Sequence, residues 1–315
     1  MKIYFWGVRG SVPTPLTSQQ IQSKIIAAVQ RISSKDIETT DSRERFVSSL
    51  PEWIFGTTGG NTPCVEIVSD DETQIILDAG TGIRCFGKSD HLPKDKHYNL
   101  FFSHFHWDHI QGLPFFDAIY DKNSTLEIFS AVPEAEKLLK EQQRSPFFPE
   151  NASFESLASK INFHTAQEGK SFFINNVEIN TCKMSHPGNS HSFSFSENGK
   201  KIVYATDVEL TRNDFIKIPS RAAVFENADL IVLDSQYTVE ESYRKENWGH
   251  SAFCYAIDFA AFWNIKRLVL FHHEPVYDDK KLDSILQAAR WYAKFIAHKD
   301  DMEIMLATEN QEIVF

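Results

Sequence analysis

Three histidines and one aspartate lie within six residues of the segment SHFHWDH at positions 103–109, in the pattern H-x-H-x-D-H. Side chains two residues apart on an extended chain point to the same side, so His104 and His106 can bind one metal ion together. Asp108 and His109 follow where the chain begins to turn, and they can face a second metal ion beside the first. Imidazole nitrogen and carboxylate oxygen suit Zn²⁺, and the same ligand set also admits Mn²⁺ or Fe²⁺.

The segment follows an apolar run at residues 99–103 that is typical of a β-strand. Four later strands of the same kind each end in a polar loop with a His or an Asp: residues 177–184, 201–206, 230–235 and 267–272. Active sites commonly lie on such loops, because a rigid sheet holds them in place. With strands outnumbering helices and no internal repeat or linker, the sequence predicts one compact domain with a site along one sheet edge.

The ends of the chain carry further secondary-structure signals. A strand is predicted near the start at residues 3–8, and a paired-strand pattern at 64–68 and 74–78. Residues 278–297 form a clear helical pattern. The last two apolar runs, at 303–306 and 312–315, suggest a closing hairpin.

Residues 16–56 differ from the rest of the chain. Several of their apolar residues recur at helical spacing, which predicts an amphipathic helix: Ile21, Ile25, Ala28, Val29 and Ile32. This stretch contains five basic and five acidic side chains, so its charge gives it no obvious role with nucleic acid.

The composition of the chain limits which binding partners and which cellular compartment are expected. The formal net charge of −11 argues against a surface built to grip a long polyanion, so no DNA partner is expected. The four cysteines form no C-x-x-C pair, and buried reduced thiols of a cytoplasmic protein are the simplest interpretation. Neither a signal peptide nor a membrane-spanning stretch is evident, so a cytoplasmic location without a membrane partner is expected.

The H-x-H-x-D-H segment resembles the signature of the metallo-β-lactamase superfamily. This resemblance implies an α+β fold, a four-layer αββα sandwich made by one domain across residues 1–315, with a helical insertion at about 16–56. It also implies three more metal ligands on loops after strands, in the order His, Asp, His; the sequence offers His186, Asp207 and His272 there. One metal would be bound by His104, His106 and His186, and the other by Asp108, His109 and His272, with Asp207 bridging both.

Two of these positions have a rival in the sequence. His273 stands beside His272, but the family's histidine comes immediately after the strand, which favours His272. His191 is an alternative to His186, although it lies later in a Ser-rich loop. Asp78, at a strand end in LDAGTG, is the candidate for holding a metal-bound imidazole by its other nitrogen, with a turn-capping role as the alternative.

The sequence Trp248-Gly249-His250-Ser251 resembles an element of the RNase Z-like phosphodiesterases within that superfamily, and a helix is predicted after it at 252–262. The resemblance implies that His250 lies over the metals and donates a proton to the leaving oxygen. The long arm with which ribonuclease Z grips transfer RNA is missing from the sequence. The segment at 16–56 is instead an insertion, interpreted as a lid, an oligomer contact or a helix packed on the sheet.

These features predict a metal-dependent phosphodiesterase with two divalent ions, acting on a small cyclic phosphate, a cyclic nucleotide or an RNA end. Two adjacent cations lower the pKa of a shared water, so that hydroxide forms near neutral pH and attacks phosphorus. The catalytic residues predicted are His250, Asp108 and Asp207. A thioesterase or lactonase, an iron redox enzyme and a non-catalytic metal-binding protein are the alternatives, and a homodimer is one arrangement that the resemblance suggests.

Overall fold

A computed structural model describes residues 1–315, and its fourteen strands form two sheets of seven. The strands are β1 (Lys2–Gly7), β2 (Cys64–Val68), β3 (Gln74–Leu77), β4 (His97–Phe102), β5 (Thr125–Ser130), β6 (Lys160–Thr165), β7 (Phe172–Ile174), β8 (Val177–Lys183), β9 (His191–Glu197), β10 (Lys200–Ala205), β11 (Leu230–Asp234), β12 (Arg267–Phe271), β13 (Glu303–Leu306) and β14 (Glu312–Val314). The first sheet has the order β14-β1-β2-β3-β4-β5-β6, and the second has the order β13-β12-β11-β10-β9-β8-β7.

Ten α-helices cover the outer faces and fill the connections. They are α1 (Ser18–Val29), α2 (Thr40–Ser49), α3 (Glu52–Phe55), α4 (Gly82–Phe86), α5 (Trp107–Ile110), α6 (Ala135–Gln142), α7 (Pro219–Phe225), α8 (Val239–Arg244), α9 (Phe253–Phe262) and α10 (Asp279–Phe295). No helix in the structure combines the length and the apolar character that crossing a bilayer requires.

The two sheets pack face to face through an aromatic core. Phe101 of the first sheet lies with its ring centroid 5.4 Å from Phe193 and 5.3 Å from Phe195 of the second. Phe5 and Phe271 meet across the same interface at 6.3 Å. Helices α4 and α6 cover the outside of the first sheet and α7, α9 and α10 the outside of the second, each through its own apolar cluster. The expected four-layer αββα sandwich is therefore confirmed.

Most strand and helix predictions agree with the structure to within a residue or two at their ends. The strands predicted at 64–68 and 74–78 are the antiparallel pair β2 and β3. The prediction of a closing hairpin at the C-terminus is wrong. Strand β13 pairs in parallel with β12, whereas β14 pairs antiparallel with β1 in the other sheet. The loop between them crosses from one sheet to the other, because each strand completes the edge of a different sheet.

Helix α1 lies within the 16–56 segment and keeps its apolar side exposed. None of its residues is buried, and the fractional exposures of Ile25 and Val29 are 58% and 62%. Lys24 ties this helix to the rest of the domain. The ammonium of Lys24 donates to the carbonyl of Gly56 at 2.8 Å and pairs with the carboxylate of Asp279 at 2.6 Å.

Candidate metal centre

The H-x-H-x-D-H segment changes conformation where its spacing predicts. Strand β4 ends at Phe102, and His106 is still extended with φ −64° and ψ 153° as the residue before α5. Asp108 and His109 lie inside α5, where the backbone N–H of His109 donates to the carbonyl of His106 at 3.0 Å. Because of this turn, His104 and His106 face one place, and Asp108 and His109 face a second place beside it.

One group of side chains converges around His104 and His106. Their nitrogen atoms lie with those of His186 and a carboxylate oxygen of Asp207 within 4.8 Å of one another. Nε2 of His186 is 3.1 Å from Nδ1 of His106, and Nε2 of His104 is 3.5 Å from Oδ2 of Asp207. A Cβ atom at Gly188 would come within 2.6 Å of Nε2 of His106, so only glycine leaves room for this ring.

A second group shares Asp207 with the first. Donor atoms of Asp108, His109, Asp207 and His272 also lie within 4.8 Å of one another. Nε2 of His272 is 3.1 Å from both Oδ2 of Asp108 and Oδ1 of Asp207, and Nε2 of His109 is 3.1 Å from the same Oδ1. The two groups therefore meet at one carboxylate that faces both.

The donor atoms at this meeting point fit divalent cations. Nε2 of His104 and Nε2 of His109 are buried, and neither forms a hydrogen bond of acceptable geometry despite the carboxylate oxygens nearby. Burial, reinforced by the nearby His109, holds the pKa of His104 well below its usual value, which favours the neutral imidazole that a metal requires. Burial opposes ionisation of Asp108 and Asp207, but the neighbouring imidazoles hold the pKa of both carboxyls well below the usual range. Both carboxylates thus stand ready as anionic ligands.

Asp78 fixes the orientation of two of these histidine rings through the Nδ1 atoms, which face away from the centre. Its Oδ2 is 2.8 Å from Nδ1 of His109 and accepts from the hydroxyl of Ser103 at 2.8 Å. That hydroxyl lies 3.1 Å from Nδ1 of His104, and the Tyr204 hydroxyl donates to the same carboxylate at 2.8 Å. With Nδ1 engaged in this way, Nε2 of each ring is left to face the centre.

The structure separates the rival histidines. Nδ1 of His272 lies 3.1 Å from Oε1 of Gln236, which leaves Nε2 toward the aspartates. His273 instead places Nε2 2.9 Å from the carbonyl of Ala307, away from the cluster. His191 lies on β9, where its Nδ1 is 3.0 Å from the carbonyl of Asn189. The structure therefore brings His272 to the centre rather than His273, and His186 rather than His191.

His250 lies against His272 of the second group. Its ring stacks on that of His272 with centroids 4.8 Å apart, and its side chain is 10% exposed. Nδ1 of His250 is 2.6 Å from Oδ2 of Asp234. Burial works against the protonated ring, but the charge and hydrogen bond of Asp234 raise the pKa of His250 to about 9.

Asp234 is the functional residue that reasoning from the sequence missed. It ends β11 in the sequence LIVLD, just as Asp207 follows β10 in YATD. Besides His250, its carboxylate accepts from the backbone N–H of Ser251 at 3.2 Å and of Gln236 at 3.1 Å. The repeated pattern of an aspartate at a strand end was the signal available to find it.

Comparison with known proteins decides the family. The profile of the beta-lactamase superfamily domain matches residues 73–273, nearly two thirds of the chain. The chain belongs to the metallo-β-lactamase superfamily. All seven predicted ligands, from His104 to His272, lie within the matched range.

Individual relatives agree with an RNase Z-like member of this superfamily. A ribonuclease Z of Picrophilus torridus is 22% identical over 234 residues, which cover 58% of this chain and 71% of that protein. The short form of human tRNase Z aligns over 100% of this chain and 99% of its own, with a TM-score of 0.62 and 17% identity. Unliganded yeast PDE1 aligns over 100% and 99%, with a TM-score of 0.64 and 14% identity. At these identities the solved structures show the shared fold.

Proposed function

We propose that the protein is a metal-dependent phosphodiesterase acting on a small cyclic phosphate, a cyclic nucleotide or an RNA end. The observation that carries this proposal is the position of the His250–Asp234 pair directly over two ligand groups that share Asp207. The relatives described above, a ribonuclease Z, a tRNase Z and PDE1, carry names that agree with phosphodiester chemistry.

Seven side chains would hold two divalent ions, with Zn²⁺ preferred and Mn²⁺ or Fe²⁺ compatible. His104, His106 and His186 would bind one, Asp108, His109 and His272 the other, and Asp207 both. When bound, such ions lower the pKa of water and neutralise charge that develops on phosphate oxygens.

Proton transfer and the orientation of the histidines would be carried out by side chains of the protein. Asp234 engages Nδ1 of His250, so Nε2 is the atom left to give a proton to the leaving oxygen. The ring stacked against His272 fixes the direction of that transfer. Asp78 keeps His104 and His109 in the tautomer that presents Nε2, through Ser103 and through direct contact. Asp108 and Asp207 are catalytic here as anionic ligands and not as proton donors, since their pKa values are held low.

A thioesterase or lactonase of the same fold is the second candidate. Those reactions do not require a proton donor at the position of His250, and a buried His–Asp pair there favours a poor leaving group such as an alkoxide. A non-catalytic metal-binding role is disfavoured by the complete ligand set.

Metal content and hydrolysis measured together test this proposal. We expect about two metal ions per chain and hydrolysis of bis(p-nitrophenyl) phosphate that depends on added Zn²⁺ or Mn²⁺. His186→Ala should remove most of both, whereas His164→Ala, an exposed histidine paired with Glu127, should remove neither. Two metals with activity toward thioesters or lactones but none toward phosphodiesters would refute the phosphodiesterase proposal and leave the metal centre standing.

A further inference from the structure

Two exposed tryptophans are attached to the backbone immediately beside the metal centre. Trp107 directly follows His106 and is 62% exposed, and Trp248 directly precedes Gly249 and is 63% exposed. The carbonyl of Gly249 lies 2.9 Å from Nδ1 of His186, whose Nε2 is 3.1 Å from Nδ1 of His106. Both tryptophans are therefore joined through the backbone to residues at the contact between two predicted ligands.

Neither tryptophan is exposed because its backbone is loose. Trp107 is the first residue of α5, and its carbonyl accepts from the backbone N–H of Gln111 at 2.7 Å. The loop that carries Trp248 is clamped on both sides by Glu209, which accepts from the N–H groups of Asn247 and Gly249 at 2.9 Å each. Rigid backbone with an open aromatic ring is the arrangement of a preformed contact surface.

The rings are open to a ligand rather than packed within the fold. Neither indole has an aromatic neighbour within the protein. The ammonium of Lys245 lies 5.7 Å from the ring centroid of Trp248 and 3.3 Å from Oε2 of Glu274. A cation over one face leaves the other face of that ring available. An exposed indole face of this kind can stack with the planar ring of a nucleobase.

We propose that Trp107 and Trp248 form an aromatic rim on which a nucleobase of the substrate stacks, so that the substrate is a nucleotide rather than a phosphodiester without a base. This inference rests on the proposed phosphodiesterase activity and names its substrate class. Stacking accepts every base because each has a π-face, so little discrimination between bases is expected. The net charge of −11 fits a short ligand rather than a long polyanion.

Two substrates with the same leaving group test the inference. Thymidine 5′-(p-nitrophenyl phosphate) carries a base, and methyl p-nitrophenyl phosphate does not. We expect the protein to favour the first in kcat/KM. Trp107→Ala and Trp248→Ala should each reduce that preference by about 5- to 100-fold, the effect of losing one stacked base. Trp107→Phe should retain most of the preference, because it keeps an aromatic face. Trp291→Ala, at an exposed tryptophan on α10, is the matched control and should leave the preference unchanged.

A binding measurement separates this inference from the proposed activity. Thymidine monophosphate should quench tryptophan fluorescence more strongly than ribose 5-phosphate, and the difference should shrink in Trp107→Ala and Trp248→Ala. Equal hydrolysis of both substrates, unaltered in the variants, would overturn the aromatic rim while the phosphodiesterase proposal survives. Failure to hydrolyse either substrate would count against the phosphodiesterase, and the fluorescence difference alone would then decide the rim.

Discussion

Nδ1 of His250 lies 2.6 Å from Oδ2 of Asp234, and this contact joins the end of β11 to the loop before α9. The carboxylate orients the imidazole, and the stacked ring of His272 prevents it from turning away. Because Asp234 also accepts from the backbone N–H of Ser251, the same residue shapes the loop that carries His250. One strand-end aspartate thus sets both the position of the proposed proton donor and the atom that it presents.

If His250 protonates the leaving oxygen, its removal should matter most when the leaving group is basic. We expect His250→Ala to reduce kcat by about 10²- to 10⁴-fold on a 2′,3′-cyclic nucleotide, whose leaving group is an alkoxide. The loss should be far smaller on bis(p-nitrophenyl) phosphate, because nitrophenolate leaves without a proton. Asp234→Asn should show the same dependence on the leaving group to a lesser degree. An equal loss on both substrates would mean that the pair acts only through the structure of the loop.

Gly188 offers a test of the first ligand group that does not remove a ligand. A methyl group there would meet Nε2 of His106 at 2.6 Å and Cδ2 of His104 at 2.8 Å. We expect Gly188→Ala to displace these rings and to lower the bound metal from about two ions per chain toward one. Elemental analysis of the purified protein measures this directly. Gly56→Ala, at the residue that ends α3, is the control and should keep its full metal content.

Four of the predicted ligands follow a local rule. His104, His106, Asp108 and His109 lie within six residues, so their geometry depends on an extended segment followed by one helical turn. His186, Asp207 and His272 are implied only by the resemblance to the superfamily, which places a ligand on the loop after each of three strands. Contacts made across the sandwich carry no such local signal. The bond from the Tyr204 hydroxyl to Asp78 joins residues 126 positions apart on different sheets.

Two further failures have the same physical origin. Asp234 was recognisable as a strand-end aspartate, but its pairing with His250 depends on how the loop before α9 folds back over β11. The hairpin predicted at the C-terminus failed because two short strands with a turn between them fit a hairpin equally well locally. Their actual partners, β12 and β1, are chosen by which sheet edge is free.

Asp78 should be needed for metal affinity as well as for stability. Asp78→Asn keeps the shape but turns one acceptor oxygen into a donor that faces Ser103 and His109. We expect metal affinity to fall by about 10- to 100-fold, the usual cost of losing a carboxylate behind a metal-bound histidine. The metal-free protein should also lose about 1–3 kcal/mol in the free energy of unfolding, because buried donors lose their partner. Competition with a chelator and urea denaturation measure the two effects.

The control for this prediction is Tyr204→Phe. It removes one donor to Asp78 but leaves the contacts with Ser103 and His109 in place. This variant should keep its metal affinity while losing some stability. If Tyr204→Phe weakened metal binding as much as Asp78→Asn, the effect would arise from general loosening of the core and not from orientation of the histidines.

The exposed apolar side of α1 leads us to expect that two copies of the chain associate through it. The surface carries Ile25 and Val29 but no exposed charge, since Lys24 is turned inward to Asp279, and an uncharged surface can face its own copy without repulsion. Light scattering should then give about twice the chain mass of 36.1 kDa. Ile25→Glu should restore the mass of a single chain, whereas Gln22→Glu should not. A single-chain mass for the unaltered protein at tens of micromolar would contradict this expectation.

Asp71 connects the turns of two hairpins in different sheets and should make stability depend on pH in acid. It accepts from the Thr73 hydroxyl at 2.6 Å in the β2–β3 turn and from the Asn176 side chain at 2.9 Å in the β7–β8 turn. Slight burial opposes ionisation, but hydrogen bonds from Ser69, from Thr73 and from the backbone of Asn176 lower the pKa of Asp71 from 3.8 to about 2. A carboxyl with a lowered pKa stabilises the fold above its unfolded pKa. Its contribution is therefore complete above pH 4 and is lost as the pH falls toward 2.

Replacement of the Asp71 carboxylate shows how much of the loss of stability in acid arises from this residue. We expect Asp71→Asn to be less stable than the unaltered protein at pH 6 and to approach it in stability as the pH falls from 4 to 2. Urea denaturation midpoints measured across that range provide the comparison. Asp300→Asn, at an exposed carboxylate that follows α10, should instead follow the unaltered protein at every pH. A constant difference between Asp71→Asn and the unaltered protein down to pH 2 would mean that Asp71 stabilises the turns through its shape rather than through its charge.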